Sequence, residues 1–189
     1  MVQGMYHFLR QAWKKPDAEV LRERMVEWRN SNAVVRVEKP LRLDRARELG
    51  YKAKNGVLVA RVRLVRGGHR RTRPNKGRRS KRMHTHKTLK LNYREIAEQK
   101  ASRKFPNCEA INSYWIGKDG VHYFFEVILA DKNSPEIKAD PVLGKLAGQS
   151  GRAFRGVTSA GRKARGLRNS VKKVPKVRPS LRAHNRTGN

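Results

Sequence analysis

The stretch Cys108–Asp131, CEAINSYWIGKDGVHYFFEVILAD, decides the fold. Lys118-Asp119-Gly120 interrupts two runs rich in β-branched and aromatic residues, and an Asp-Gly pair so placed is a strong hairpin signal. The runs read as strands, about Cys108–Gly117 and Val121–Asp131. In the second, Val121, Tyr123, Phe125, Val127 and Leu129 alternate onto one face. Tyr114 and Trp115 fall on opposite faces of the first, so one is expected in the core and the other is free to stack on a base or a neighbour. Cys108 opens the hairpin and reads as a small buried hydrophobe, not as a reactive thiolate.

Upstream, Asn92 with Glu95 three residues later signs the start of a helix that runs to about Lys104 and is closed by Pro106. Leu91 and Ile96 can staple its entry. Gly56 precedes a further strand, Val57–Val65. Leu58, Ala60, Val62 and Leu64 share one face of it. The other face passes from Val57 and Val59 to Arg61 and Arg63, so this strand is expected to leave the core and turn two arginines toward a polyanion. The N-terminal region predicts two helices: Met5, Tyr6, Leu9, Ala12 and Trp13 repeat at helical spacing. Pro16 breaks the pattern, and Asp17 caps a stripe of Ala18, Leu21, Met25 and Trp28. A short helix, Asp44–Leu49, ends at Gly50. A small antiparallel sheet with helices packed on it, an α+β domain, is the fold expected over residues 1–147.

Charge sets the partner. Of 189 residues, 46 are Lys or Arg and 15 are Asp or Glu, a net charge of +31 with a pI near 11.4. A body so charged repels itself and calls for a polyanion beside it. Nucleic acid supplies closely spaced phosphates, and release of their counterions drives binding. A membrane partner fits poorly. There is no run of about 20 apolar residues, no lipidation signal and no secretory layout. One cysteine rules out an internal disulfide and suits a reducing compartment, so a cytoplasmic protein is expected. At 37% hydrophobic residues the chain can build one modest core.

The charge is also segregated along the chain. The 46 residues between Glu48 and Glu95 contain no acid and 16 Lys or Arg; the 49 after Asp140 contain no acid and 13. Hence a basic loop is expected at about 66–90, inserted in the domain, and a basic extension over 148–189. Neither has apolar residues enough to bury anything of its own, so both are expected to be disordered when free. The expected contacts to nucleic acid in and before the loop are Arg61, Arg63, Arg66, His69, Arg70, Arg71, Arg73, Lys76, Arg78, Arg79, Lys81 and Arg82. In the extension they are Arg155, Arg162, Lys163, Arg165, Arg168, Lys172 and Lys173. Arginine forks grip phosphate in two places and stack on bases, while the interleaved glycines let the backbone approach closely. Such segments suit irregular folded RNA better than duplex DNA, which is read by a helix or ribbon in the major groove. Thr158–Gly166 also predicts a short capped helix whose free N–H groups, with Arg162, Lys163 and Arg165, would hold an anion.

No catalytic arrangement emerges. There is no phosphate loop, no nucleophile–base pair and no paired carboxylates beside a cleft, and the acids outside the basic segments are expected on exposed helices. His84 and His86 lack a further ligand for a metal. No enzyme activity, cofactor, metal or small-molecule substrate is expected.

Several segments carry a family resemblance: Leu49–Gly56 (LGYKAKNG), Arg61–Arg71 (RVRLVRGGHRR), Asn112–Gly117 (NSYWIG), Phe124–Leu129 (FFEVIL) and Arg155–Leu167 (RGVTSAGRKARGL). In this order they resemble the fifteen-e family of large-subunit ribosomal proteins of archaea and eukaryotes, and the chain is similar to its archaeal branch. The resemblance implies an α+β domain whose basic extensions thread into large-subunit rRNA, with neighbouring large-subunit proteins as further partners. The function expected is therefore that of a structural constituent of the large ribosomal subunit. The alternative is a non-specific nucleic-acid-compacting or RNA-chaperone protein; a nuclease ranks far below both.

Overall fold

The structure, a computed structural model, describes residues 3–70 and 86–168. Most of the expected basic loop and the end of the extension lie outside the described residues.

The hairpin forms as its sequence requires. Strands β5 (Cys108–Lys118) and β6 (His122–Asp131) pair antiparallel about the Asp119-Gly120 turn. Strand β2 (Val57–Val65) pairs with β6, and β1 (Val34–Val37) with β2, both antiparallel. The order β1-β2-β6-β5 places the longest apolar runs at the centre. A separate pair, β3 (His69–Arg70) with β4 (His86–Lys87), closes the base of the basic loop.

Both faces of the sheet are covered. On one face Phe124, Ile128 and Ala130 of β6 join Tyr114 and Ile116 of β5 and are packed by Trp28, Ala46, Ile137 and Leu143. Those four come from α2 (Ala18–Asn30), α3 (Leu43–Glu48), α5 (Pro135–Ala139) and α6 (Leu143–Ala147). On the other face Phe125, Val127 and Leu129 join Ala60, Val62 and Leu64 beneath Ala97 and Ala101 of α4 (Tyr93–Lys104) and Ala153. Strand β6 is thus buried on two sides where alternation alone predicts one.

The capping residues act as expected. Asp17 accepts from Glu19 N at 2.9 Å, and Asn92 from Glu95 N at 2.8 Å. Helix α1 (Met5–Lys14) lies outermost, against α3, with no buried residue. One glycine here is demanded by geometry. Gly56 enters β2 at φ +81°, and a Cβ there would meet Ser134 and Ile137 within 2.7 Å.

Three expectations are corrected. Arg61 does not leave the core: on the α2 side of β2, its side chain 13% exposed, it stacks over Trp28 at 5.3 Å. Arg63, on the same side, donates to the Arg29 carbonyl. The chain after residue 147 does bury residues of its own, because Arg152, Ala153, Thr158 and Ala160 are all buried. The acids beyond residue 90 are mostly interior rather than displayed on exposed helices: Glu95, Glu98, Glu109, Glu126 and Asp140 are buried.

Candidate nucleic-acid interface

Burying a carboxylate is costly unless hydrogen bonds replace its water. Four of these acids accept hydrogen bonds, mostly from segments distant in sequence, whereas the buried Oε2 of Glu95 has no partner among the described residues. Glu98, fully buried on α4, accepts from the hydroxyls of Ser113 and Thr158, both at 2.6 Å. Glu109 accepts the N–H groups of Gly151 (2.8 Å) and Arg152 (3.2 Å). Arg152 also donates through Nη1 to the Ala110 carbonyl at 3.0 Å. Arg94 Nη2 reaches Asn112 Oδ1 at 2.9 Å and the Ser113 carbonyl. On the opposite face Glu126 accepts from the Tyr114 hydroxyl and from Leu41 N–H. Asp140 accepts from Lys52 Nζ at 2.7 Å and from the N–H groups of Val142 and Leu143.

The titration of these groups follows. Burial pushes the Glu98 and Glu126 carboxyls up, against the pull of their hydroxyl partners. Glu95 is raised by burial and by Glu98 beside it. Burial, and then the charge of Glu126, push the Tyr114 phenol up. Asp140 is held well below the usual carboxylate range by the Lys52 ammonium and the Leu143 N–H. Burial lowers Arg61, Arg94 and Arg152.

The effect on the surface is large. Of the acids after residue 48, Glu136 alone is exposed, and the Asn55 amide holds it at 2.9 Å. Arg155, Arg162, Lys163 and Arg168 are exposed, Arg165 half-buried. Helix α7 (Ser159–Ala164) carries Arg162 and Lys163 and is capped by Thr158, which accepts from Gly161 N at 3.2 Å. This N-terminus is not an open anion site: Thr158 is fully buried and its hydroxyl is given to Glu98. A Cβ at Gly161 would lie 2.6 Å from Gly156 Cα, so the backbone before the helix packs directly on it.

Both acid-free segments meet the fold at one turn. Gly67 N–H donates to the Tyr93 hydroxyl at 2.8 Å, fixing the start of the basic loop. The Asn92 side-chain amide donates to the Ala160 carbonyl at 2.9 Å, fixing α7. Loop and extension are therefore tied to adjacent residues at the N-terminus of α4. Arg66 is exposed and braces the same region. It donates through Nη1 to the Asp119 carbonyl at 2.7 Å and lies over the Tyr123 ring at 5.0 Å, itself 4.7 Å from the Tyr93 ring.

His69 is exposed beside this turn, and the backbone of Arg70 belongs to β3. Arg71, Arg73, Lys76, Arg78, Arg79, Lys81, Arg82, Lys172 and Lys173 lie outside the described residues, as does His84. Of the Tyr114–Trp115 pair, Tyr114 is buried and Trp115, 41% exposed, projects from the edge strand, as the alternation required. Sequence reasoning missed one exposed feature: Arg103 lies over the exposed Phe154 ring at 5.6 Å, a pairing across distant segments that no local pattern announces. Among the described residues no group of His, Cys, Asp or Glu gathers as metal ligands, and no helix is long and apolar enough to cross a membrane.

Fold and surface define a class: a small, strongly basic α+β protein whose polar groups are spent on holding charged segments in place. The "Ribosomal L15" family model matches residues 4–184. The chain is 50% identical over 193 residues to the large ribosomal subunit protein eL15 of Methanocorpusculum labreanum, with both chains covered in full. It is 47% identical over 195 residues to the protein of the same name from Methanocella arvoryzae, again over the whole of both. The chain belongs to the Ribosomal L15 family, which is structural and not enzymatic.

Proposed function

We propose that the chain is a structural constituent of the large ribosomal subunit, in the cytoplasm, and that it holds folded large-subunit rRNA with its two basic segments. The names of the full-length relatives support the first part. The observation that carries the second is the convergence of both acid-free segments on the Asn92–Tyr93 turn, beneath a surface from which nearly every neighbouring acid has been withdrawn. The domain of residues 1–147 positions them, and the extension from residue 148 is held to it as far as helix α7.

Arg61 is held against Trp28, which leaves Arg63, Arg66, His69, the loop residues from Arg70 to Arg82, and the cations from Arg155 to Lys173 for RNA. Binding is then electrostatic and steeply salt-dependent. Its specificity comes from RNA shape and from the fit of the backbone, not from base edges read by a helix. Neighbouring large-subunit proteins complete the environment.

The test is sedimentation of a lysate through sucrose at low and high salt, with Arg70, Arg71, Arg78 and Arg79 replaced together by Ala. The unaltered chain is expected at the large-subunit position, resisting moderate salt. The quadruple variant is expected to fold and to fall to the top of the gradient. Spreading of the unaltered chain over bulk DNA and RNA would instead support non-specific compaction. Normal assembly of the variant would remove the loop from the site.

A further inference from the structure

A half-open cavity of about 240 Å³ lies where the basic loop leaves the fold. Leu64 at the end of β2, Leu89 on the chain returning from β4, and Tyr93 and Ile96 of α4 give it an apolar lining. Its ionisable lining residues are Arg66, His69 and Lys100, and among the described residues no acid lines it.

The helix is built for this division. Tyr93, Ile96 and Lys100 recur at three- and four-residue spacing and so share one face of α4, while the buried Glu95 and Glu98 fall on the opposite face. Every charged side chain of α4 that is not buried is a cation: Arg94, Lys100, Arg103 and Lys104. Asp119, whose carbonyl holds Arg66, keeps its carboxylate on the N–H groups of Val121 and His122, and its side chain is 11% exposed. At the mouth Gly67 turns at φ +91°, and a Cβ there would meet nothing within 4 Å, so the backbone is open to close approach.

Such a lining asks for a ligand that is apolar over one part and anionic beside it. An apolar side chain would leave the cations unanswered, and a free phosphate would leave the apolar lining uncovered. A nucleotide satisfies both, and unpaired RNA bases are commonly held by stacking and apolar contact with their phosphates on cations. The volume is below the about 300–1,000 Å³ of drug-sized sites, room for one base rather than a pair. An acidic peptide with an apolar residue has the same chemistry, but the position favours RNA. The stretch between Glu48 and Glu95, whose chain frames the mouth from both sides, holds 16 Lys or Arg, far more than one such peptide needs.

We propose that this cavity holds a single unpaired base turned out of folded RNA, its ring against Leu89, Tyr93 and Ile96 and its phosphates on Arg66 and Lys100. The inference deepens the reading above that the chain grips large-subunit rRNA, and rests on it. It adds to the loop cations a pocket that selects one nucleotide by shape.

The test irradiates purified large subunits carrying the full chain with short-wave ultraviolet light and maps each RNA adduct to its residue and nucleotide. One nucleotide, always the same, is expected on Tyr93, Ile96 or Lys100. Leu89→Trp fills the cavity with a ring of its own. It is expected to cut that adduct by about fivefold or more per incorporated chain, the scale of losing one stacked base. Lys100→Met keeps the apolar stem and removes the charge, and a loss of about threefold is expected, as for one charge-assisted contact to phosphate. This second variant decides where L89W does not enter subunits. An adduct confined to His69 would mean that RNA passes the rim without entering. No adduct, with Lys100 still shielded from an amine reagent after ribonuclease, would assign the cavity to a protein partner. Either result, no adduct at all, or an adduct indifferent to both variants would overturn the proposal. Absence of the unaltered chain from the large-subunit peak would overturn the rRNA reading with it. Its presence there with no nucleotide on Tyr93, Ile96 or Lys100 would overturn the pocket alone.

Discussion

The acids of α2 and those of α4 and β6 meet opposite fates. Glu19 and Glu23 stand in solvent on α2. Glu98 and Glu126 lie beneath opposite faces of the sheet, each with a hydroxyl partner. The interior acids bind the fold together and leave a basic exterior behind them. Glu19 and Glu23, which have no ion pair among the described residues, hold little of the fold. Burial therefore tells the two groups of carboxylates apart.

The sharpest way to break this contrast is Glu98→Ala. It strands the Ser113 and Thr158 hydroxyls and leaves Arg94 and Arg152 without their neighbouring charge. Loss of one partner from a buried charged cluster costs about 3–5 kcal/mol. The urea midpoint should drop accordingly, and residues 150–168 should become sensitive to trypsin. An unchanged midpoint would mean that Glu98 does not hold the extension.

A smaller effect is expected from Tyr114→Phe, which removes the donor to Glu126 at a cost of about 1–3 kcal/mol at neutral pH. Glu126 has its folded pKa raised by burial. Its contribution is therefore full below the ordinary carboxylate range and is lost as pH rises through the folded value. Without the phenol the folded value rises further. The variant's deficit should then narrow as the solution is acidified and Glu126 takes up a proton. Unfolding curves across pH for both proteins read this directly, and a deficit that widened in acid would assign the stabilising role elsewhere.

The smallest effect belongs to the exposed set. Glu19→Gln with Glu23→Gln should change stability by no more than about 0.5 kcal/mol, the usual range for surface sites. A loss comparable to that of Glu98→Ala, measured in the same denaturation series, would erase the distinction between the two groups of acids.

Most of the scaffold was legible because its signals are local. The Asp119-Gly120 turn, the Asn92 and Asp17 caps and the apolar run Val57–Val65 each speak within a few residues. Strand β1 was missed because Val34–Val37 offers too short a pattern between Ser31-Asn32 and Glu38-Lys39-Pro40. The packing of residues 150–168 was missed for a different reason. Their hold on the fold is made by small and polar groups, Ala153, Ala160 and Gly161 with Arg152 and Thr158, and hydrophobic periodicity is blind to both. Arg61 misled because alternation shows which residues share a face but not that α2 covers it. For the candidate site, the basic residue types could be named from composition. Their convergence at Asn92 and Tyr93 depends on contacts across as many as 68 residues of sequence.

If loop and extension both grip RNA, as proposed, that shared attachment makes the protein a bidentate ligand. With loop and extension tethered to neighbouring residues, either one, once seated, holds the other at high local concentration over its own site. Escape then requires both to let go before either rebinds. Two individually modest grips become one long residence, so exchange slows far more than affinity per segment would suggest.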